Sequence, residues 1–171
     1  VQGTFATGAR TAGVGVDGGY GYVVTWSSAS TTATDAFRLA GGSTELTVPV
    51  TAGTAITPTA YVGSNRNALL TFRYGFYTSG NVLIGSFAND VAETQLVAND
   101  PLVRMVGTVI DVPATADHMS FRIVWATGTN WTTGSTLTVD RISLNPNPYF
   151  DGASADTDTL THSWSGTAYA S

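Results

Sequence analysis

The chain has 171 residues, a formal net charge of −5 and no cysteine, and its seven basic residues are all arginine. Without cysteine there are no disulfides and no thiolate metal sites, and the length predicts one domain large enough to bury its own core. The arginines are scattered along the sequence from Arg10 to Arg141 without forming a run. That scatter excludes the basic patch that a nucleic-acid partner requires, and it argues against an anionic membrane surface.

Charged residues make up only 11% of the chain, compared with about a quarter in a typical domain. Threonine, serine and glycine take their place, which predicts a hydroxyl-rich surface suited to neutral partners such as sugars or neighbouring protein subunits. No stretch approaches the roughly 18 apolar residues of a membrane helix and no signal peptide is visible, so membrane insertion is not expected. Because the chain begins at Val1 rather than at methionine, we expect either a processed product or, as we favour, a piece of a longer protein.

Hydrophobic residues alternate with polar ones along most of the chain, which is the pattern of half-buried β-strands. Leu70, Phe72, Tyr74 and Phe76, for example, occupy every second position of one segment. The predicted strands are rich in valine, isoleucine, threonine and aromatic residues, which favour pleated sheets. In chain order they are 20–26, 36–39, 44–50, 56–62, 70–77, 81–87, 103–112, 121–126 and 137–142.

Turn-forming residues separate these segments. Thr51–Gly53 and Thr78–Asn81 carry tight-turn residues, and residues 113–117 and 127–130 form loops of ordinary length. No segment has an amphipathic helical stripe with capping residues. Short strands at this spacing predict an all-β fold, an antiparallel jelly-roll β-sandwich, over residues 1–145.

The last part of the chain differs in composition. Pro146 and Pro148 end the preceding strand, because proline lacks the amide donor that a sheet needs. Tyr149, Phe150 and Trp164 follow, and they are interpreted as packing anchors or as contacts to another chain. We therefore predict that residues 146–171 form a short C-terminal extension, which packs on the sandwich or links it to a following region.

Two stretches near the C-terminus carry a resemblance to known proteins. Residues 131–144, Trp-Thr-Thr-Gly-Ser-Thr-Leu-Thr-Val-Asp-Arg-Ile-Ser-Leu, resemble the final strand of carbohydrate-binding-module-like jelly rolls. Beyond them, the chain resembles the tail of minor tail proteins from phages that infect actinobacteria. That second resemblance rests on Tyr-Phe-Asp-Gly at 149–152, Asp-Thr-Asp at 156–158 and Ser-Trp-Ser-Gly-Thr at 163–167.

The resemblance implies a virion component, extracellular and located at a phage tail tip or fibre. Other phage tail proteins would be its partners, with the chain in a homo-oligomer, and a host cell-envelope polysaccharide would be its ligand. The alternative is a purely structural tail module that mediates subunit assembly without binding a ligand. An enzyme such as a depolymerase is not expected, because the sequence has no Gly-x-Ser-x-Gly elbow, no His-Glu-x-x-His pair and no phosphate-binding glycine loop.

The histidines and most carboxylates also lack a catalytic arrangement. His118 is predicted in a loop and His162 in the C-terminal extension. Five aspartates fall in predicted turns, where the usual role of aspartate is to bond its own backbone and face solvent. These solvated turn residues are Asp17, Asp90, Asp100, Asp117 and Asp156.

A sugar site needs an aromatic platform beside polar groups that pair with hydroxyls. Arg73 and Tyr77 share the face of their strand that points away from the core, and Gly75 between them leaves room for a ligand. Arg122 on the strand at 121–126 adds a second set of guanidinium donors. The alternative is that both arginines lie on a solvated sheet face and that Tyr77 packs against a neighbour.

Asp140 is a carboxylate inside a predicted strand, 137–142. In the related jelly rolls an aspartate at this place helps to hold a structural Ca²⁺, so the resemblance makes Asp140 a candidate metal ligand and calcium the one candidate cofactor. The usual second acid follows an early phenylalanine, but here Phe5 is followed by Ala6. The alternative is that Asp140 accepts hydrogen bonds from nearby backbone.

The tryptophans divide into two groups. Trp26 and Trp125 end apolar strands and are predicted in the core, because tryptophan is highly buried on average. Trp131 lies in a predicted loop beside Gly134, and the sequence does not decide whether its side chain is in the core or on the surface.

Overall fold

The computed structural model describes residues 6–27, 35–38, 40–41, 44–45, 47–126 and 131–144. Apart from a short 3-10 helix at Val16–Gly18, the regular elements of these residues are β-strands. In chain order the strands are β1 (Ala6–Ala12), β2 (Tyr20–Trp26), β3 (Asp35–Arg38), β4 (Ala40–Gly41), β5 (Thr44–Glu45), β6 (Thr47–Pro49), β7 (Ala55–Ile56), β8 (Thr59–Ser64), β9 (Ala68–Tyr77), β10 (Leu83–Leu96), β11 (Val103–Val106), β12 (Ile110–Asp111), β13 (His118–Trp125) and β14 (Thr136–Ser143).

Two larger sheets make up the sandwich. The back sheet has the strand order β1-β2-β14-β8-β11, and the front sheet has the order β10-β9-β13-β3, with β6 also paired to β13. Two small ladders join β12 to β7 and β4 to β5. Every pairing is antiparallel. The predicted all-β, antiparallel jelly-roll sandwich is therefore confirmed.

The core lies between the two sheets and is built from alternate residues of the strands. Leu70 and Phe72 of β9 are completely buried, as is Ile123 of β13. The rings of Phe72 and Phe121 lie 4.9 Å apart, which joins the two central strands of the front sheet. The back sheet contributes Val24, Val62, Leu137 and Val139. The alternation along 70–77 thus selects the core face correctly.

Three tryptophans close one part of this core. The ring centroid of Trp131 lies 4.1 Å from that of Trp26 and 4.3 Å from that of Trp125. All three side chains are buried, and Trp131 is only 1% exposed. The core positions of Trp26 and Trp125 are therefore confirmed, and Trp131 belongs to the core with them.

Several strand bounds differ from those the sequence predicts. β1 was not predicted, because Ala6–Ala12 contains no large apolar residue in alternation. β10 continues past residue 87 to Leu96, through irregularities in its pairing with β9. The predicted strand 103–112 is divided into β11 and β12, since Gly107 between them turns inward and donates its N–H to the carbonyl of Pro58.

Asp90 lies in the irregular part of β10, and its predicted role as a solvated turn residue is wrong. It is not a solvated turn residue but a strand residue of β10 that is only 6% exposed. Its Oδ1 accepts hydrogen bonds from the amide of Ala92 at 3.0 Å and the hydroxyl of Thr108 at 2.8 Å. Its Oδ2 accepts the amide of Thr108 at 2.8 Å. Asp90 therefore ties β10 to the loop that separates β11 from β12. Burial, and secondly the charge of Asp90, raise the pKa of Tyr74.

Replacing Asp90 by asparagine is expected to lower the free energy of unfolding by about 2 kcal/mol. The substitution removes the charge of a buried group that accepts three hydrogen bonds, and it replaces one of the two accepting oxygens by an NH₂ donor. Urea denaturation measures the change. Asp100→Asn is the matched control, since Asp100 is exposed in a turn. Equal stabilities for the two variants would contradict this role of Asp90.

Two further observations complete the fold. The predicted C-terminal extension, residues 146–171, lies outside the described residues. Within the part of the chain that the structure describes, no helix has the length and apolar character needed to cross a membrane.

Candidate functional site

The three predicted sugar-site residues lie on one face of the front sheet. Arg122 of β13 is paired directly with Arg73 of β9. Tyr77 lies four residues beyond Arg73 on β9, so it shares that face, and its partner across the ladder is His118. The opposite face of the same strands forms the core. Strand register therefore brings together residues that are almost fifty positions apart in sequence.

Phe87 is a residue of this face that the sequence did not reveal. It lies where the pairing of β10 with β9 shifts between Ile84 and Ala88, two residues after Gly85, whose φ is +71°. The guanidinium carbon of Arg122 lies 4.2 Å from the centre of the Phe87 ring, and that of Arg73 lies 5.5 Å from it. A glycine inside a strand pattern is a signal for such a bulge, but the predicted strand ended at residue 87.

Phe87 also corrects the expected role of Gly75. A Cβ atom placed on Gly75 would lie 3.0 Å from the Phe87 ring and 3.1 Å from Leu83. The space above Gly75 is therefore filled by Phe87 rather than left open for a ligand. Glycine is needed here so that the phenylalanine ring can lie close to the strand.

Tyr77 is held between two other rings. Its ring is parallel to that of His118, within 1° and with 5.6 Å between centroids, and it meets the Phe87 ring edge-on at 6.4 Å. His118 is the first residue of β13, not a loop residue, and is 9% exposed. Its Nδ1 lies 2.9 Å from Asp117 Oδ2, and its Nε2 lies 2.9 Å from Asn81 Oδ1. Tyr77 is thus fixed by packing, while Phe87 brings an aromatic ring close to both arginines.

We call Arg73, Tyr77, Phe87 and Arg122 the arginine–aromatic face. Its rings are suited to contact the apolar C–H groups of a sugar. Its two guanidinium groups supply planar forks of hydrogen-bond donors, which suit hydroxyl and carboxylate oxygens. Cation–π contact of both guanidinium groups with the Phe87 ring helps to hold these donors in place.

Asp140, the candidate calcium ligand, is surrounded differently. Its Oδ2 accepts the amide of Val16 at 2.9 Å, and its Oδ1 accepts the amide of Arg141 at 2.8 Å. The guanidinium of Arg141 donates to Asp17 Oδ2 at 2.9 Å. Calcium takes six to eight oxygen ligands, whereas the described residues contain no group of three His, Cys, Asp or Glu side chains able to hold a metal. The described bonds of Asp140 go to backbone amides, as in the alternative interpretation, and a part for Asp140 in a calcium site stays a prediction.

A chelator is accordingly expected to leave the melting temperature unchanged within about 2 °C, because metal-linked stability of 1 kcal/mol shifts it by roughly 2–8 °C. Asp140→Asn, in contrast, is expected to lower it, since one backbone amide loses its charged acceptor. Differential scanning calorimetry with and without EDTA makes both measurements. A fall of ten degrees with EDTA would show that a metal is bound.

A separate surface pocket of about 540 Å³ lies where the β8–β9 turn meets the segment before β14. Asn65 donates to the carbonyl of Gly134 at 2.9 Å and accepts the amide of Thr136 at 2.8 Å. Arg66 donates to the hydroxyl of Thr132. These polar groups already satisfy one another, so the pocket is a weaker candidate than the arginine–aromatic face.

The two antiparallel sheets form a β-sandwich, the fold also seen in carbohydrate-binding modules. No protein-family model and no curated protein sequence matches the chain. Solved structures with the same fold do match it at low sequence identity.

Three of these structures illustrate the likeness. The xylan-binding CBM22-2 domain of Paenibacillus barcinonensis Xyn10C is 13% identical, with a TM-score of 0.58, over 84% of this chain and 88% of that domain. The CBM22-1–GH10 modules of Clostridium thermocellum Xyn10B, complexed with xylohexaose, are 12% identical, with a TM-score of 0.56, over 86% of this chain and 26% of that one. The enzymatically active domain of bacteriophage CBA120 tailspike protein 4 is 10% identical, with a TM-score of 0.50, over 82% and 17% respectively.

The likeness establishes the fold. This chain spans about a quarter of the Xyn10B structure and less than a fifth of the tailspike chain.

Proposed function

We propose that this domain belongs to a phage virion, at the minor tail or tail tip, and recognises host-surface glycan through the arginine–aromatic face. The observation that carries the proposal is that the guanidinium carbons of Arg73 and Arg122 lie 5.5 Å and 4.2 Å from the centre of the Phe87 ring, on one sheet face. An aromatic ring beside planar donors is the combination that sugar recognition requires.

The comparisons support the glycan part of the proposal. Two of the proteins with this fold are named for xylan binding or were solved with a xylan fragment. The phage part is supported by the resemblance of residues 149–167 to minor tail proteins, and by a tailspike domain among the solved structures. Under this proposal the domain is extracellular and non-catalytic, and its partners are other tail proteins and a host cell-envelope polysaccharide.

Low affinity at each site is consistent with this role. One stacked ring and a few hydrogen bonds give dissociation constants in the millimolar to micromolar range, or about 4–8 kcal/mol. A homo-oligomeric tail presents several copies, which converts weak sites into firm attachment.

A structural tail module without a ligand is the second candidate, and exposed apolar side chains favour it. Val91 and Val109 are 85% and 68% exposed, and Val82 is 64% exposed. Side chains of this kind are suited to subunit contacts that other tail proteins would cover.

A glycan array tests the two candidates. The domain, displayed as an oligomer, is applied to envelope polysaccharides from actinobacterial hosts. We expect binding to at least one polysaccharide, and loss of that binding in a folded Arg73→Gln/Arg122→Gln double variant. Arg104→Gln is the matched control, because Arg104 is an exposed arginine of β11 in the back sheet. A folded oligomer that binds no host polysaccharide would favour the structural module.

A further inference from the structure

Arg73 has an unusual environment for a charged side chain. The residue is partly buried, and its Nε is sealed from solvent without a hydrogen-bond partner. Its described contact is with the Phe87 ring, at 5.5 Å, which is not a counter-charge. A partly buried cation with no carboxylate partner among the described residues carries a desolvation cost that an anion would offset. The terminal nitrogens of Arg73 are the atoms left to meet such an anion.

The sheet register places two further arginine positions in line with Arg73. Arg122 is its direct partner on β13, and the backbone position opposite Arg122 on β3 is Arg38. On the other side of Arg73 the partner on β10 is the neutral residue Asn89. Three of the seven arginines of the chain therefore fall in one row across the front sheet.

Nearby carboxylates do not neutralise Arg73. Asp117, beside the arginine–aromatic face, bonds to His118 rather than to an arginine. Asp90 is on the neighbouring strand, but its oxygens accept hydrogen bonds from Ala92 and Thr108. Among the described residues, these two carboxylates therefore do not serve as a counter-charge for Arg73.

We infer that the glycan recognised by the arginine–aromatic face is acidic, with a carboxylate-bearing sugar such as a uronic acid placed against Arg73. This inference rests on the proposed glycan-binding function and specifies its substrate class. The carboxylate accepts two parallel N–H bonds from a guanidinium, which gives a charge-assisted contact that a neutral sugar lacks. The Phe87 ring contacts the C–H groups of the same or the next sugar.

The experiment compares acidic and neutral forms of one polysaccharide. Isothermal titration calorimetry is performed with glucuronoxylan, with the same xylan after removal of its glucuronate groups, and with polygalacturonate. We expect at least one acidic polymer to bind about tenfold more tightly than the neutral xylan. Raising the salt concentration from 50 to 500 mM should weaken that binding, because screening reduces charge–charge attraction.

Three variants test whether Arg73 causes the preference for the acidic polymer. Arg73→Gln should remove the preference for the acidic polymer, Arg73→Lys should retain part of it, and Arg104→Gln on the back sheet should leave it unchanged. If Arg73→Gln does not fold, the salt dependence of the unchanged protein decides the question.

Equal affinity for the acidic and neutral xylans would overturn the inference and leave the proposed glycan function in place. Binding to none of the three polymers would also overturn it. The host-polysaccharide array then decides separately whether the domain binds glycan at all.

Discussion

Replacing Trp131 by alanine is expected to lower the free energy of unfolding by about 3–5 kcal/mol, the largest stability effect that the fold predicts. Trp131 is 1% exposed and packs against the rings of both Trp26 and Trp125, which lie 6.0 Å from each other. Alanine leaves a cavity beside two rings that cannot both move to fill it, because they belong to opposite sheets. Urea denaturation followed by tryptophan fluorescence and circular dichroism measures the change.

Trp131→Phe is the control for this prediction. It retains an aromatic ring and removes the indole Nε1, which is buried without a hydrogen-bond partner among the described residues. Its cost is expected to be at most half that of alanine, since removal of an unpartnered donor offsets part of the lost volume. A loss below about 1 kcal/mol for Trp131→Ala would show that the tryptophan cluster is not part of the stable core.

Replacing Phe87 by alanine is expected to weaken glycan binding at least tenfold, with little effect on stability. The ring is the aromatic surface shared by Arg73 and Arg122, so its loss removes both the sugar contact and the support of the two guanidinium groups. In a typical binding surface, a few central aromatic and arginine residues contribute most of the binding free energy. Phe87 is only partly buried, which limits the cost to folding.

Phe87→Leu distinguishes the contribution of the aromatic ring from that of the side-chain volume. Leucine still covers Gly75 but has no aromatic face for a sugar or a guanidinium. We expect the leucine variant to bind as weakly as the alanine variant while melting like the unchanged protein. Full binding by either folded variant would exclude Phe87 from the site.

Much of the fold follows from the alternation of residues along the chain. Strand residues two apart share a face, and that rule places Leu70 and Phe72 in the core and Arg73 and Tyr77 on the opposite side. The pairing of Arg73 with Arg122 does not follow from this alternation. It depends on the register of β9 against β13, which is set by the fold and not by either strand alone.

Other features had weaker signals in the sequence. Asp90 is flanked by polar and small residues typical of a turn, yet it is buried because Thr108, a distant residue, supplies two of its donors. Phe87 reaches the site through a bulge whose position is visible only as Gly85 in a strand pattern. Asp140 lies in β14, as its strand pattern predicts, and the partners of its carboxylate are backbone amides that the sequence does not reveal.

The central claim is that glycan binds on the arginine–aromatic face. Its most direct test is a two-dimensional amide NMR titration of the isotope-labelled domain with a fragment of the polysaccharide selected on the array. We expect the shifted signals to cluster at Arg73, Tyr77, Phe87 and Arg122, while Arg104 on the back sheet stays unchanged. Shifts confined to the pocket at Asn65–Asn67 and Thr132–Ser135, or to the back sheet, would contradict the assignment of the binding site.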